Sequence, residues 1–504
     1  MSNEARERFR PFSDPEEFER IIELDTVSEM WTRCVRDYSE LPAIVFDGES
    51  HTYGQLEEDA ARFRAVLKSR TDGKRIVFFA PNSYQFVKAF IASATLGLTS
   101  IILPPQLNSQ ALFGCAMQFG ADAVVYDESL SETVDAVSGK LQGKALIKIS
   151  ESGEDSLPVS PCEGKTPCLM MFTGGTTGKN KCALLSNTAV MQGTVNGCYG
   201  VKPLFNQRYL LVLPFFHVFG LIRNLMTSLY TGSALYICKS NKDMFKDIAV
   251  FKPTVMVMVP ALAEMALTLS KQFGRNMLGD DLKYIIAGAA AVSPYLIKEY
   301  DKLGVSLLQG YGLTETANLV SGNPLSLEYP DSVGFPYPNQ ELKIVDGELW
   351  LRGKNMMEGY VGTEEPSFTD DGWFRTGDLV RIDENGLLYI TGRIKEIIVL
   401  PSGENISPAE LEAQFNVLPF IQDSQVFEDE NSSGKKILAL EVVPRRTVLA
   451  QLKPEDPREF IVSELEKIND ALPEYQRVSR ITVRDEDFAR TPSMKIVRYK
   501  NGKK

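Results

Sequence analysis

RIVFFA (75–80), followed at once by SYQFVKAFIASATLG (83–97), is the stretch from which the fold can be read. An unbroken apolar run of this length suits a strand buried on both faces, and the segment after it carries apolar residues at helical spacing. The same pair recurs as YLLVLPFF (209–216) with VFGLIRNLMTSLYTG, TVMVMVP (254–260) with ALAEMALTLSK, and LKYIIAG (282–288) with SPYLIKEYDKLG. Such repetition predicts an α/β fold of parallel sheets covered on both faces, with right-handed crossovers and at least two sub-domains. From about residue 340 the texture changes. ELKIVDGELWLRG (341–353) and GLLYITGR (386–393) alternate with glycine turns, which predicts a small antiparallel or barrel-like unit. After Arg393 a compact α+β tail follows: helix PAELEAQFN, strands around QVFE and KKILALEVVP, then helix PREFIVSELEKINDAL. The expected division is a large N-terminal domain, 1–393, and a small C-terminal domain, 394–504, with a hinge placed at the boundary near 393–395.

Bulk properties narrow the function. At 504 residues the chain exceeds what one core supports. Hydrophobic content of 44% and charged content of 24% are ordinary for a globular protein. A formal charge of −12 argues against a nucleic-acid groove, yet a local nest of backbone N–H groups still binds phosphate in an acidic protein. The seven cysteines form no CxxC pair, which favours scattered reduced thiols over a disulfide framework or zinc site. The N-terminal segment lacks an apolar signal core and no run reaches transmembrane length, so a cytoplasmic location is expected.

Several short motifs carry chemistry. MFTGGTTGKNK (171–181) lies between CLMMF and KCALLS, a strand–loop–strand setting in which three glycines and three threonines expose N–H groups and hydroxyls to a phosphate chain. It is not a Walker A loop, because Thr173 stands where the first glycine is needed and Asn180 follows Lys179. QGYGLTET (309–316) follows VSLL and falls at the carboxyl end of a strand, where α/β folds bind ligands. There the plain reading of Glu315 is a cap of the next helix. In WFRTGDL (373–379), the plain reading of Asp378 is a turn residue after Gly377, whose carboxylate offers acceptors and no donor. His217 in LPFFHVFG reads, taken alone, as a packed core histidine, and His51 likewise receives only a structural reading. Lys495 in TPSMKIVR is either a tail lysine among basic neighbours or a cation placed between two oxygens.

Taken in order, with GRIKEIIVLPSGENISPAELE (392–412) between the last two, these motifs resemble the adenylate-forming (AMP-binding) superfamily of acyl-CoA synthetases, peptide-synthetase adenylation domains and beetle luciferases. The resemblance spans nearly the whole chain. It implies that Thr173, Gly175, Thr176, Thr177, Gly178 and Lys181 hold the ATP phosphates, with Gly174, Asn180 and Cys182 departing from the usual loop. It places Ala289 and Ala290 of AGAAAV (287–292), Gly310, Tyr311 and Gly312 around the adenine. Thr314 meets the α-phosphate, Glu315 binds Mg2+, Asp378 takes the ribose hydroxyls and Arg393 reinforces ribose or phosphate. His217 lines an acyl and pantetheine channel. Lys495 joins carboxylate and α-phosphate in adenylation, although Met494 stands where glycine is usual, and the tail domain then swings about Lys395.

The implied activity is an AMP-forming carboxylic acid–CoA ligase using ATP, Mg2+ and coenzyme A on a small-molecule acid. IIVLPSGENISP resembles bacterial fatty-acid and related CoA ligases more than peptide-synthetase domains. Two alternatives stand beside it: adenylation that loads a separate carrier protein, and a nucleotide-binding relative without catalysis. VFGLIRNL holds no aspartate for an amino group, which weighs against an amino acid, and Arg223 there reads as a surface residue or a partner for a second carboxylate.

Overall fold

The computed structural model describes residues 3–173, 181–363, 367–400, 404–431, 436–491 and 496–498. Strand Arg75–Phe79 is buried over all but its first residue, as its unbroken apolar run requires. Helix Tyr84–Ala94 begins at Ser83, whose side chain accepts from the Phe86 N–H, and it is buried all round rather than along one stripe. Helix Asn187–Asn196, capped by Ser186, is likewise enclosed. Both are inner layers of a stack of sheets.

One sheet runs, edge to edge, Phe335–Pro336, Ser321–Asn323, Ser306–Tyr311, Tyr284–Ala287, Val255–Met258, Arg208–Leu211, Ala234–Ile237, Pro42–Phe46 and Glu49–Thr52. Its pairings from Ser306–Tyr311 to Pro42–Phe46 are parallel, and both ends are finished by antiparallel strands. A second sheet runs Gly359–Val361, Cys182–Ser186, Pro167–Phe172, Thr99–Leu103, Arg75–Phe79, Ala123–Tyr126 and Ala145–Lys148, parallel from Pro167–Phe172 onward. Their facing sides share one core that extends from Phe9 to Leu388. A third, antiparallel sheet of Gln340–Val345, Glu348–Gly353, Phe374–Ile382 and Leu388–Arg393 fills the region where alternating strands were expected.

The tail packs helices Pro408–Phe415 and Pro457–Ala471 on strands Ile421–Glu430, Lys436–Pro444 and Arg480–Val483, around a core of its own. Arg445 ties it to the larger part. Its guanidinium holds Glu264 through Nε–Oε1 at 2.7 Å and Nη2–Oε2 at 3.1 Å, and lies 4.0 Å over the Tyr295 ring.

Two expectations need correction. The helix after YLLVLPFF begins as a π-helix, Phe219–Met226, before an α-helical turn, Thr227–Tyr230. Arg223 is not a surface residue: it lies on that π-helix and is only 2% exposed. Its segment is enclosed because helix Asn187–Asn196 packs directly against it, with the Arg223 Cδ 3.1 Å from where a Gly197 Cβ would stand.

Candidate active site

Strands Pro167–Phe172 and Cys182–Ser186 form an antiparallel hairpin, closed by the Thr173 N–H donating to the Lys181 carbonyl at 2.9 Å. That confirms the strand–loop–strand setting. The expected phosphate contacts Gly175, Thr176, Thr177 and Gly178 lie outside the described residues. Lys181 Nζ stands 4.9 Å over the ring of Tyr360, and the Tyr360 hydroxyl donates to Glu315 Oε1 at 2.6 Å. Edge strand Gly359–Val361 sets this contact by placing Tyr360 opposite Ala183. Nothing in the sequence singles out Tyr360, which reaches Glu315 from 45 residues away and Ala183 through a strand pairing between far more distant segments.

Strand Ser306–Tyr311 ends at the expected motif. A tight turn, Thr314–Thr316, follows, then Ala317 and Asn318 at φ 48° and 99°, and the chain returns as Ser321–Asn323 antiparallel to the strand it left. Glu315 therefore caps no helix. It sits at a chain reversal, with its carbonyl accepting from the Met357 N–H at 2.8 Å. Gly312 makes the reversal possible, since a Cβ there would lie 1.4 Å from the Asn318 carbonyl oxygen. Thr314 is on the same turn.

Tyr311, Asp378 and Arg393 meet. Asp378 and Arg393 are directly opposed in the ladder between Phe374–Ile382 and Leu388–Arg393, so their side chains share one face. Arg393 Nε donates to Asp378 Oδ1 at 2.5 Å, and the Tyr311 hydroxyl donates to Oδ2 at 2.5 Å. Burial and then the adjacent Asp378 carboxylate raise the Tyr311 pKa well above its usual value, keeping the phenol a donor. Burial works against the Arg393 charge, but Asp378 outweighs it and raises the Arg393 pKa. The turn before Asp378 is braced by Glu348, which accepts from the Gly377 N–H at 2.9 Å and from Arg375 Nε at 3.1 Å. Glu348 had no sequence signal either; it lies on the neighbouring strand.

Strand Tyr284–Ala287 delivers the alanine segment to the same end of the sheet. Ala289 and Ala290 are exposed, and Ala289 holds φ 68°, a conformation costly for a residue with a Cβ and enriched at functional sites. Gly288 faces Gly310: a Cβ on Gly288 would lie 3.4 Å from the Gly310 oxygen and 3.3 Å from Phe219 Cζ. His217 is half-buried just before the π-helix, its ring 4.7 Å from that of Phe216. Asn82 fixes that segment through the Leu213 carbonyl and the Phe215 N–H. His51 stacks on Tyr84 at 3.7 Å, in keeping with its structural reading.

Lys495 lies outside the described residues; those that follow it in its motif, 496–498, are described. Ile496 pairs with Arg490, and Arg498 forks onto Glu412 at 2.8 and 2.7 Å and reaches Glu396 at 3.1 Å. The last motif is thereby tied to GRIKE and PAELE. Among the described residues no group of three His, Cys, Asp or Glu side chains could hold a metal by itself. A single carboxylate with one oxygen already oriented, as at Glu315, suits a divalent cation that arrives on nucleotide phosphates.

Comparison with known proteins gives two matches in series. The AMP-binding enzyme family matches residues 31–361, and the AMP-binding enzyme C-terminal domain matches 395–504. An indoleacetate–CoA ligase of Aromatoleum aromaticum is 31% identical over 80% of this chain and 85% of that enzyme. A long-chain-fatty-acid–CoA ligase of Yersinia pestis is 26% identical over 88% of each chain. The crystal structure of the anthranilate CoA ligase AuaEII with anthranoyl-AMP superposes with a TM-score of 0.81 over 94% of this chain and 95% of that one, at 19% identity.

Proposed function

The chain belongs to the AMP-binding enzyme family as an AMP-forming carboxylic acid–CoA ligase, and on that premise we propose which of its residues carry the two steps. In the first, a carboxylate oxygen attacks the ATP α-phosphorus and the bond to the β-phosphate bridging oxygen breaks, releasing pyrophosphate. In the second, the CoA sulfur attacks the acyl carbon, loses its proton and displaces AMP. Splitting the reaction replaces hydroxide by a far better leaving group.

Asp378 holds the ribose, oriented by Tyr311 and Arg393. Tyr311 and the Ala289–Ala290 segment take the adenine, with Gly310 and Gly312 letting it approach. Thr173, Gly175, Thr176, Thr177, Gly178 and Lys181 bind the phosphates, and Thr314 the α-phosphate. Glu315, steered by Tyr360, holds Mg2+, which supplies charge neutralisation on the phosphates when bound. Lys495 closes over the reacting oxygens, and His217 borders the path of acid and pantetheine. The tail, residues 394–504, moves about Lys395 between the steps; its separate core supports motion as a body. No helix among the described residues is long and apolar enough to cross a membrane. We place the enzyme in the cytoplasm on its seven free cysteines.

The meeting of Tyr311, Asp378 and Arg393 at the carboxyl end of the parallel sheet carries this reading. Product analysis tests it. Incubation with ATP, CoA and a panel of acids is expected to yield AMP, pyrophosphate and an acyl-CoA in equal amounts. ADP with orthophosphate would overturn the AMP-forming assignment, and an adenylate that accumulates without transfer to CoA would point to a carrier protein.

A further inference from the structure

The π-helix carries a charge that the two steps do not use. Arg223 is 2% exposed, forms no ion pair with a carboxylate among the described residues, and its Nη1 has no hydrogen-bond partner. Its neighbours offer no compensating charge: the guanidinium meets the Tyr209 hydroxyl, and beyond it the Cys198 thiol and Tyr337, all neutral groups. Further buried polar atoms without partners lie on the same π-helix and on adjoining segments: both amide atoms of Asn224, Asn318 Nδ2 and Asn196 Oδ1. Buried polar groups are nearly always satisfied, and a buried guanidinium without an anion is costly.

The set lies immediately behind the site. Phe219 touches the place of a Gly288 Cβ, beside the Gly310 carbonyl, and Arg223 lies about one turn further along the same π-helix. Asn318 follows the Thr314–Thr316 turn by two residues. Helix Asn187–Asn196 closes the far side: a Gly193 Cβ would strike the Ala317 carbonyl, a Gly197 Cβ would stand 3.1 Å from Arg223 Cδ, and Asn196 Nδ2 donates to the Leu319 carbonyl at 3.2 Å. Elements proposed to border adenine and phosphate on one side thus carry a set of buried, unpaired polar groups on the other. A ligand with a plain alkyl or aryl end would leave these donors unpaired. One ending in a carboxylate would pair the guanidinium through charge-assisted bonds.

Resting on the ligase reading, we propose that Arg223, with Asn318 and Asn224, receives a second carboxylate at the far end of the acid. Arg223 is then a specificity-determining residue, and the enzyme activates dicarboxylic acids in preference to monocarboxylic acids of the same length. The test is ATP–pyrophosphate exchange with matched aliphatic and aromatic acids ending in carboxylate, carboxamide or methyl, on the full-length wild type and on Arg223→Met. At the best length, the wild type is expected to favour the carboxylate end over the methyl end by roughly ten- to hundredfold in kcat/KM, the range for a hydrogen bond to a charged group. Arg223→Met is expected to lose that preference or reverse it, with ATP-induced thermal stabilisation reporting that the variant is folded. A wild type that favours methyl ends at every length overturns the proposal even if the variant fails to fold, and so does a variant that keeps the carboxylate preference. Exchange with methyl-ended acids alone leaves the ligase reading standing while removing this one; no exchange with any acid removes both.

Discussion

Asp378→Ala, assayed with ATP and with 2′-deoxy-ATP, isolates the ribose contact. A carboxylate has about four acceptor positions. Two are occupied: Tyr311 donates to Oδ2 and Arg393 to Oδ1, each at 2.5 Å. Two remain, the number a ribose diol needs. Each hydrogen bond to a charged acceptor contributes ~1.5–3 kcal/mol. Taking ~2 kcal/mol for the 2′-hydroxyl, removal of that hydroxyl should lower wild-type kcat/KM for the nucleotide about thirtyfold. In Asp378→Ala the hydroxyl has lost its acceptor, so ATP and 2′-deoxy-ATP should differ by less than about threefold, a coupling that a double-mutant cycle reads directly. The same variant should lose stability. The buried Tyr311 hydroxyl left unpaired costs ~1–3 kcal/mol. Arg393, with a side chain 45% exposed, adds at most ~1 kcal/mol. Pyrophosphate release with the two nucleotides and urea unfolding give both numbers. An equal deoxy penalty in wild type and variant would refute the ribose assignment and leave Asp378 as a brace for Tyr311 alone.

Arg445→Ala should cost ~3 kcal/mol in urea unfolding and speed hydrogen exchange in the tail, because it strands Glu264, 14% exposed, without its partner; a loss under ~1 kcal/mol would mean the pair behaves as a surface one. Tyr360→Phe removes the donor that steers Glu315, and about tenfold weaker dependence on MgATP, from a bond of ~1.5 kcal/mol, is expected; unchanged kinetics would contradict the assignment. Burial lowers the Lys88 pKa to about 8, so above that pH the native state binds fewer protons than the unfolded chain and stability rises with pH. The rise should approach ~3 kcal/mol between about pH 8 and 10.5 and flatten in Lys88→Met, as followed by unfolding at a pH series. Burial pushes the thiols of Cys34, Cys168, Cys182 and Cys198 up to about 12 and raises that of buried Cys238 as well, so a thiol reagent should label only Cys115 and Cys162 in the native protein, and labelling of a third would contradict the packing.

Much of this arrangement is legible in the chain. RIVFFA and its counterparts carry the parallel sheets because a strand buried on both faces needs an unbroken apolar run, and one chain segment encodes that by itself. Tyr311, Glu315 and Asp378 stand in motifs short enough to read locally, and their meeting follows from strand ends. Glu348 and Tyr360 are a different case. Each acts through a strand pairing that no local pattern announces, Glu348 beside the Gly377 turn and Tyr360 across from Ala183. Arg223 shows the limit most clearly. A charged residue after an aromatic run reads as surface, because burial of a guanidinium is unfavourable in isolation. Only the packing of Gly197 and the π-helix shows it enclosed. The alternative of a helix after Glu315 failed for a related reason, since the reversal depends on the contact between Gly312 and Asn318.

The adenylation chemistry itself is tested most directly by isotope transfer. An acid that supports turnover, labelled with 18O in its carboxylate, is incubated with ATP, CoA and the full-length enzyme, and the AMP is weighed by mass spectrometry. Attack of the carboxylate on the α-phosphorus leaves one labelled oxygen in AMP after the thiol displaces it, and Lys495→Ala should abolish that transfer. Label in pyrophosphate or orthophosphate, or unlabelled AMP formed alongside acyl-CoA, would contradict an acyl-adenylate and the account built on it.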